Sequence, residues 1–293
     1  MLASVQPLSI EEARRAAQLA LAEDIGEGDV TTLATVPESV TASAVLRSRE
    51  PMVVAGLAVA EAAFAALSAA VRFDRSARDG ESVERGAVLL RVTGPARALL
   101  SAERVALNFA QRLSGIATLT RRFVTAVEGT RARILDTRKT TPGWRLLEKY
   151  AVTCGGGHNH RFGLFDQVLI KDNHLVALRD AKPNAVAAAI QLARTGYPQL
   201  KIEIEADTLE QVEQALAADA DWILLDNMEV TQIARAVEKC RGRALTEASG
   251  GITLENVRVI AETGVDFISI GALTHSARAV NIGLDFEPAL RTP

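Results

Sequence analysis

Arg138, Lys139, His158, His160, Arg161 and Lys171 all fall between Asp136 and His174 of a chain whose formal net charge is −3. Arginine offers a planar fork for carboxylate or phosphate and lysine a compact charge, so the set suits an oligo-anionic ligand. Taken alone, Arg138-Lys139 reads equally well as an ordinary exposed basic pair; the further cations Arg161 and Lys171 turn the reading toward binding. Gly155, Gly156 and Gly157 stand directly before the histidines, where glycine permits close backbone approach or positive φ. The segment therefore reads as an anion site built from side chains and loop backbone. His158-Asn159-His160 has no third and fourth ligand at a recognisable metal spacing. Hydrogen bonding to an anion is the expected role of His160, with a satisfied core histidine as the plainer alternative.

The acidic counterparts lie further along. Glu203, Glu205 and Asp226 alternate in or end apolar runs, where an unpaired carboxylate is costly, so each needs a cation. Salt bridges to the basic cluster would satisfy them, and so would oxygen ligation of Mg2+ carrying a phosphorylated substrate. Side chains alternate across a strand, so Glu203 and Glu205 point the same way. Ser249-Gly250-Gly251, followed by Thr253 at the expected start of a helix, has the form of a phosphate-binding element, and Gly271-Ala272 repeats the theme. A glycine pair that only makes a tight turn is the alternative.

Groups so far apart in sequence need a scaffold that gathers them. Apolar runs at Arg133–Asp136, Gln167–Ile170, Lys201–Glu205, Trp222–Asp226, Ala244–Ala248 and Phe267–Ile270 alternate with helical patterns, including Thr208–Leu216, Glu229–Cys240 and Thr253–Thr263. Such alternation implies parallel strands with crossover helices. The strand ends are consistently polar, and a barrel brings all such ends to one mouth whereas an open sheet spreads them. An incomplete β/α barrel is expected, with six strands legible where closure in the common form takes eight. Neither a dinucleotide fingerprint nor a Walker loop follows any of these strands.

Ahead of the barrel, Ser9 and Glu12 have capping-box spacing for a helix that ends near Gly26. Strands at 42–49, 71–74 and 87–92 and a helix over 56–70 make an α+β unit. A helix from Pro95 to about Ser114 sets Arg104, Asn108 and Gln111 on one face and Val105, Phe109 and Leu113 on the other. The polar stripe is either a solvated face or one that meets a ligand or a second subunit.

Bulk properties agree. A chain of 293 residues with 48% apolar content can fill two domains or a barrel with an appendage. Slight net acidity gives no basis for nucleic-acid or acidic-membrane binding. Cys154 and Cys240 are too few for a disulfide framework, no basic head precedes an apolar run at the N-terminus, and a cytoplasmic location is expected. The run Val53–Val71 contains Glu61, is rich in alanine and lacks flanking Trp or Tyr, so it reads as a buried helix and not a membrane span.

Across nearly its whole length the chain resembles the quinolinate phosphoribosyltransferases. The segments that carry the resemblance are EDIGEGDVTT at 23–32, AERVALNFAQRLSGIAT at 102–118, DTRKTTPGWRLLEKYAV at 136–152, GGGHNHRFGL at 155–164, LIKDNH at 169–174, IEIEADTLEQ at 202–211, LLDNM at 224–228, EASGGI at 247–252 and ISIGALTHSARAVNIGLDF at 268–286. The resemblance implies an N-terminal α/β sandwich domain, residues 1–115 with 276–293 returning to it, joined to an incomplete α/β barrel at 116–275. It implies conversion of quinolinate and phosphoribosyl pyrophosphate to nicotinate mononucleotide, pyrophosphate and CO2 with Mg2+. It also implies a homodimer, open to higher assembly, in which Arg104 reaches the neighbouring site. Arg104, Arg138, His160, Arg161 and Lys171 match positions that hold the dicarboxylate. Lys139, Glu205 and Asp226 match those around ribose, pyrophosphate and metal, with Glu203 in the same segment. Ser249, Gly250, Gly251 and Gly271 match the 5′-phosphate pocket. Lys139, Lys171, Glu205 and Asp226 are the expected catalytic set, and Glu205 and Asp226 the metal ligands. A related group associated with molybdenum transport genes is the near alternative, disfavoured by the intact HNHRFG and RKTTPG segments. A catalytically silent anion-binding regulator is the distant one, and it would be expected to have lost the carboxylate or phosphate elements.

Overall fold

The computed structural model describes residues 8–287. The ends of the expected ranges 1–115 and 276–293 lie outside them. Within the described residues the chain forms two compact units. One holds the chain up to Arg121 together with Thr141–Gly156 and the segment from Ser276 onward; the other holds Arg122–Thr140 and Gly157–His275.

The first unit opens with helix α1 (Ile10–Ile25), whose Ser9 hydroxyl accepts from the Glu12 amide while the Glu12 carboxylate accepts from the Ser9 amide, the reciprocal capping that the spacing implies. A short α2 (Val30–Thr35) is capped by Asp29. Strands β1 (Thr41–Ser48), β2 (Met52–Val53), β3 (Arg72–Arg75), β4 (Ser82–Val83) and β5 (Val88–Pro95) follow, with α3 (Leu57–Leu67) between β2 and β3. Leu57, Ala60 and Phe64 of α3 are fully buried and α1 packs on it, so the apolar run is core from Val53 to Phe64, while Ala65, Ala66, Ala69 and Ala70 are exposed. No helix among the described residues is long and apolar enough to cross a membrane.

Helix α4 (Ala96–Ala126) is longer than its sequence pattern. The expected end near Ser114 is passed without a break; Gly115 sits inside the helix, and a Cβ there would lie 2.0 Å from the backbone oxygen of Arg278. The glycine is a point of close approach, not a stop. Gly115→Ala should lower stability by about 1–3 kcal/mol through overpacking against rigid backbone, outweighing alanine's gain in helix propensity of roughly 1 kcal/mol. A urea midpoint at or above that of the parent chain would refute this.

The second unit contains β6 (Arg133–Leu135), β7 (Val168–Ile170), β8 (Ile202–Ala206), β9 (Trp222–Asp226), β10 (Leu245–Ser249) and β11 (Phe267–Ser269). All pair in parallel, in the order β6-β11-β10-β9-β8-β7. The first strand thus neighbours the last, as a closing barrel requires and a doubly wound sheet does not. Between β6 and β7 the ring stays open. The seam is filled on the β6 side by one parallel bridge, Leu135 to His158. Ile134, Ile202, Ile204, Ile223, Leu225 and Ile268 are at most 1% exposed, the near-continuous apolar character of strands covered on both faces.

Helices α5 (Arg145–Cys154), α6 (Asp172–Ala177), α7 (Ala185–Gly196), α8 (Leu209–Ala217), α9 (Val230–Cys240), α10 (Val257–Ala261) and α11 (Ala272–His275) complete the chain, with α5 in the first unit although it lies between barrel strands in sequence. Strand β12 (Ile282–Phe286) then pairs antiparallel with β1, giving a four-stranded sheet of order β12-β1-β5-β3. The helix expected over Thr253–Thr263 is reduced to α10, because the Thr253 amide turns onto the Asn256 side chain and the Asn256 amide onto the Gly251 carbonyl. That side-chain turn offers the backbone an alternative to the helix.

Candidate active site

The C-terminal ends of the six barrel strands surround a cavity of about 700 Å³. From β6 come Arg138 and Lys139, from the seam segment His160 and Arg161, and Lys171 follows β7. Glu205 ends β8, Asp226 ends β9, and Ser249, Gly250 and Gly251 follow from β10. Gly271 and His275 enter from β11 onward. One volume therefore gathers the cations, the carboxylates and the glycine loop that are dispersed in sequence.

Its phosphate-like end rests on tight backbone. Gly250 has φ +92° and Gly251 φ +60°, and a Cβ on Gly250 would strike the Asn227 side chain at 2.1 Å. The amides on offer belong to this loop itself, since α10 begins only at Val257, so the expectation of a helix N-terminus opened by Thr253 is corrected. Gly271 admits Lys139, whose Cδ would be 2.9 Å from a Cβ there. The Thr274 hydroxyl donates to the Lys139 carbonyl at 2.7 Å and pins the basic loop to α11.

Beside it, ligand-type oxygens of Glu205, Asp207 and Asp226 all lie within 4.8 Å of one another. Burial, then the charge of Glu205, pushes the Asp226 carboxyl up to about 6. Such crowding is relieved by a cation. Lys171 Nζ supplies part of that relief at 2.9 Å from Glu205 Oε2, and Asn227 donates to Asp226 Oδ2 at 2.6 Å. Oxygen donors at this density suit a hard divalent ion.

Beneath the cationic end lies a buried group that the sequence pattern does not announce. His160 Nε2 is 3.0 Å from Glu203 Oε2 and 3.4 Å from Glu247 Oε2, and both glutamates are fully buried. Gln167 also donates to Glu203 at 2.9 Å. The Arg161 amide donates to His160 Nδ1 at 2.7 Å, which places the ring hydrogen on Nε2, toward the carboxylates. Burial, then Glu247, pushes Glu203 up to about 7, and the His160 Nε2 facing both carboxylates works against that rise. Glu203 therefore supports the cavity from below, and His160 faces protein carboxylates through Nε2 while its ring lines the cavity. Burial and then Arg138 hold the Arg161 guanidinium below its usual range. Two crowded cations of this kind favour an anion between them.

The sequence pattern misses Glu247, Asp207 and His275 as members of this site. Glu247 had a signal, since it stands two residues before Ser249 on β10 and so shares its face. The glycine run does not line the cavity. Gly155 packs on α4, where a Cβ would meet the Ala117 carbonyl at 2.5 Å, and Gly156 takes φ +89° after α5. Arg104 is not among the residues that line this cavity. It is exposed on α4 and lines a separate hollow of about 330 Å³ with Asp24, Asp29 and Ser101.

Comparison with known proteins fits this geometry. Residues 29–114 match the model of the quinolinate phosphoribosyl transferase N-terminal domain and residues 116–285 that of its C-terminal domain. The nicotinate-nucleotide pyrophosphorylase (carboxylating) of Mycobacterium leprae is 46% identical over 283 residues, covering 94% of this chain and 97% of that protein. A quinolinate phosphoribosyltransferase (decarboxylating) of Nicotiana tabacum is 43% identical over 289 residues, covering 93% and 82%. The solved nicotinate-nucleotide pyrophosphorylase of Francisella tularensis superposes with a TM-score of 0.91 at 36% identity, covering 98% of this chain and all of that one.

Proposed function

The chain belongs to the quinolinate phosphoribosyltransferase family, and from that membership we propose how its cavity carries out the family reaction. Its activity is phosphoribosyl transfer to quinolinate with decarboxylation, in NAD biosynthesis. The observation that carries the reading onto particular residues is the single cavity in which Arg138, Lys139, Arg161 and Lys171 face Glu205, Asp226 and the Ser249–Gly251 loop.

In this reading Arg138, Arg161 and Lys171 hold the two carboxylates of quinolinate above the His160 ring. The 249–251 loop and Gly271 receive the 5′-phosphate. Lys139 meets pyrophosphate oxygens as they depart and the ribose carbon gains positive character. Glu205 and Asp226, with Asp207 beside them, would hold Mg2+, which when bound supplies charge to neutralise the pyrophosphate. Catalysis rests on charges already oriented before substrate arrives. Once the ring nitrogen is ribosylated it is positive, and it stabilises the electron pair left on the ring carbon when the adjacent carboxylate leaves as CO2; that carbon then takes up a proton to give nicotinate mononucleotide. The cavity's part there is to keep water from that carboxylate.

Arg104 is proposed to serve the site of a second copy. That it lines a hollow of its own unit and not the cavity supports this, and so do Ile10, Leu19, Val30 and Leu33, which are apolar yet more than half exposed in the same unit. A cytoplasmic location and the domain limits 1–115 and 116–275 stand as proposals with it.

Pure protein with quinolinate, phosphoribosyl pyrophosphate and Mg2+ should release nicotinate mononucleotide. Nicotinate lacks the second carboxylate, and a charge-assisted contact is worth roughly 1.5–3 kcal/mol, so kcat/KM for nicotinate should fall by at least tenfold. Equal use of the two acids would overturn the assignment of the cationic end.

A further inference from the structure

His160 and Arg161 lie on the segment that fills the open seam of the barrel, and their neighbours in the ring do not hold them as strand partners would. Backbone pairing to β6 consists of the His158 amide on the Ile134 carbonyl at 2.8 Å and the Asp136 amide on the His158 carbonyl at 3.1 Å. Beyond His158 the ladder stops, and the next backbone donors need another acceptor.

Asp136, the residue directly after β6, is that acceptor. Its carboxylate takes the His160 amide at 2.9 Å on Oδ1 and the Asn159 side-chain amide at 2.8 Å on Oδ2. The side chain is fully buried. It is not among the groups that line the cavity. Fixing the His160 amide fixes where the ring enters between Glu203 and Glu247, and Arg161, the next residue, is tied to the same ring by its own amide.

We propose that Asp136 is a positioning residue for quinolinate recognition: its buried carboxylate substitutes for the missing strand partner and sets His160 and Arg161 at the cationic end of the cavity. The inference rests on the reading of those two residues as quinolinate residues. It goes beyond that reading in assigning specificity for one substrate to a side chain that does not line the cavity.

The test measures binding of quinolinate and, separately, of inorganic pyrophosphate with Mg2+ by titration calorimetry on the full chain. Asp136→Asn keeps shape but sets an amide against a donor that the carboxylate accepts, so quinolinate affinity should fall at least tenfold while pyrophosphate affinity stays within about twofold. Adding Asn159→Asp lets the amide of residue 136 donate to a carboxylate at 159, and quinolinate affinity should recover in the double variant. Asn159→Ala alone removes the side-chain contact to Asp136 and should weaken quinolinate selectively, by several-fold. This variant decides the matter if Asp136→Asn does not fold. Parent-like quinolinate affinity in a folded Asp136→Asn chain, equal losses for both ligands, or no selective loss in Asn159→Ala overturns the proposal. A parent chain that binds pyrophosphate but not quinolinate would instead overturn the functional reading beneath it.

Discussion

Asp226→Asn and Glu205→Gln are expected to cut kcat/KM for phosphoribosyl pyrophosphate by about 10²–10³, the usual cost of removing one preorganised electrostatic group, while quinolinate affinity holds or improves. Both changes keep side-chain volume and remove charge, so packing around the strand ends should change little. The two should differ in one respect. Glu205 Oε2 holds Lys171 Nζ at 2.9 Å, so Glu205→Gln weakens the internal partner of a cation assigned to quinolinate. Quinolinate should therefore bind Glu205→Gln more tightly than the parent chain when Mg2+ is absent. Asp226→Asn, which leaves the Lys171–Glu205 pair in place, should not show this gain. Mg2+ titrations should weaken in both. If either variant binds Mg2+ and phosphoribosyl pyrophosphate normally but loses quinolinate, these carboxylates are partners of the basic cluster and the metal assignment is wrong.

The same ion pair shows what a sequence can and cannot disclose. That Lys171 and Glu205 end neighbouring parallel strands follows from alternating apolar runs with polar ends, and the capping of α1 by Ser9 follows from spacing. These signals are local, and local patterns survive in a string. Closure of the ring is not local. It is decided by β6 pairing with β11, strands separated by almost the whole unit, and nothing in either apolar run names its partner. The sequence pattern ends α4 too early, near Ser114, for a related reason: Gly115, just past it, has its neighbour in Arg278, far along the chain, and that close approach leaves no local mark. The buried His160–Glu203–Glu247 group stayed hidden because three residues from three elements meet only after folding. Assignment of individual substrate roles came from the resemblance of whole segments, not from periodicity.

Mixing Arg104→Ala protein with Lys171→Ala protein is expected to restore activity that neither has alone. Lys171 lines the barrel cavity, whereas Arg104 is exposed on α4 and lines a different hollow of its own unit. If a dimer places Arg104 of one copy at the cavity of the other, each homodimer carries the same lesion in both of its sites. A mixed dimer differs: one of its sites combines an intact cavity with an intact Arg104, and the other takes both lesions. Full exchange at equal amounts should therefore return about a quarter of the parent activity, the share of sites free of either change in a two-fold assembly. Subunit exchange must be demonstrated in the same sample, for example by energy transfer between labelled copies. Activity that stays at the level of the separate variants despite complete exchange would show that Arg104 serves its own chain's cavity, or none.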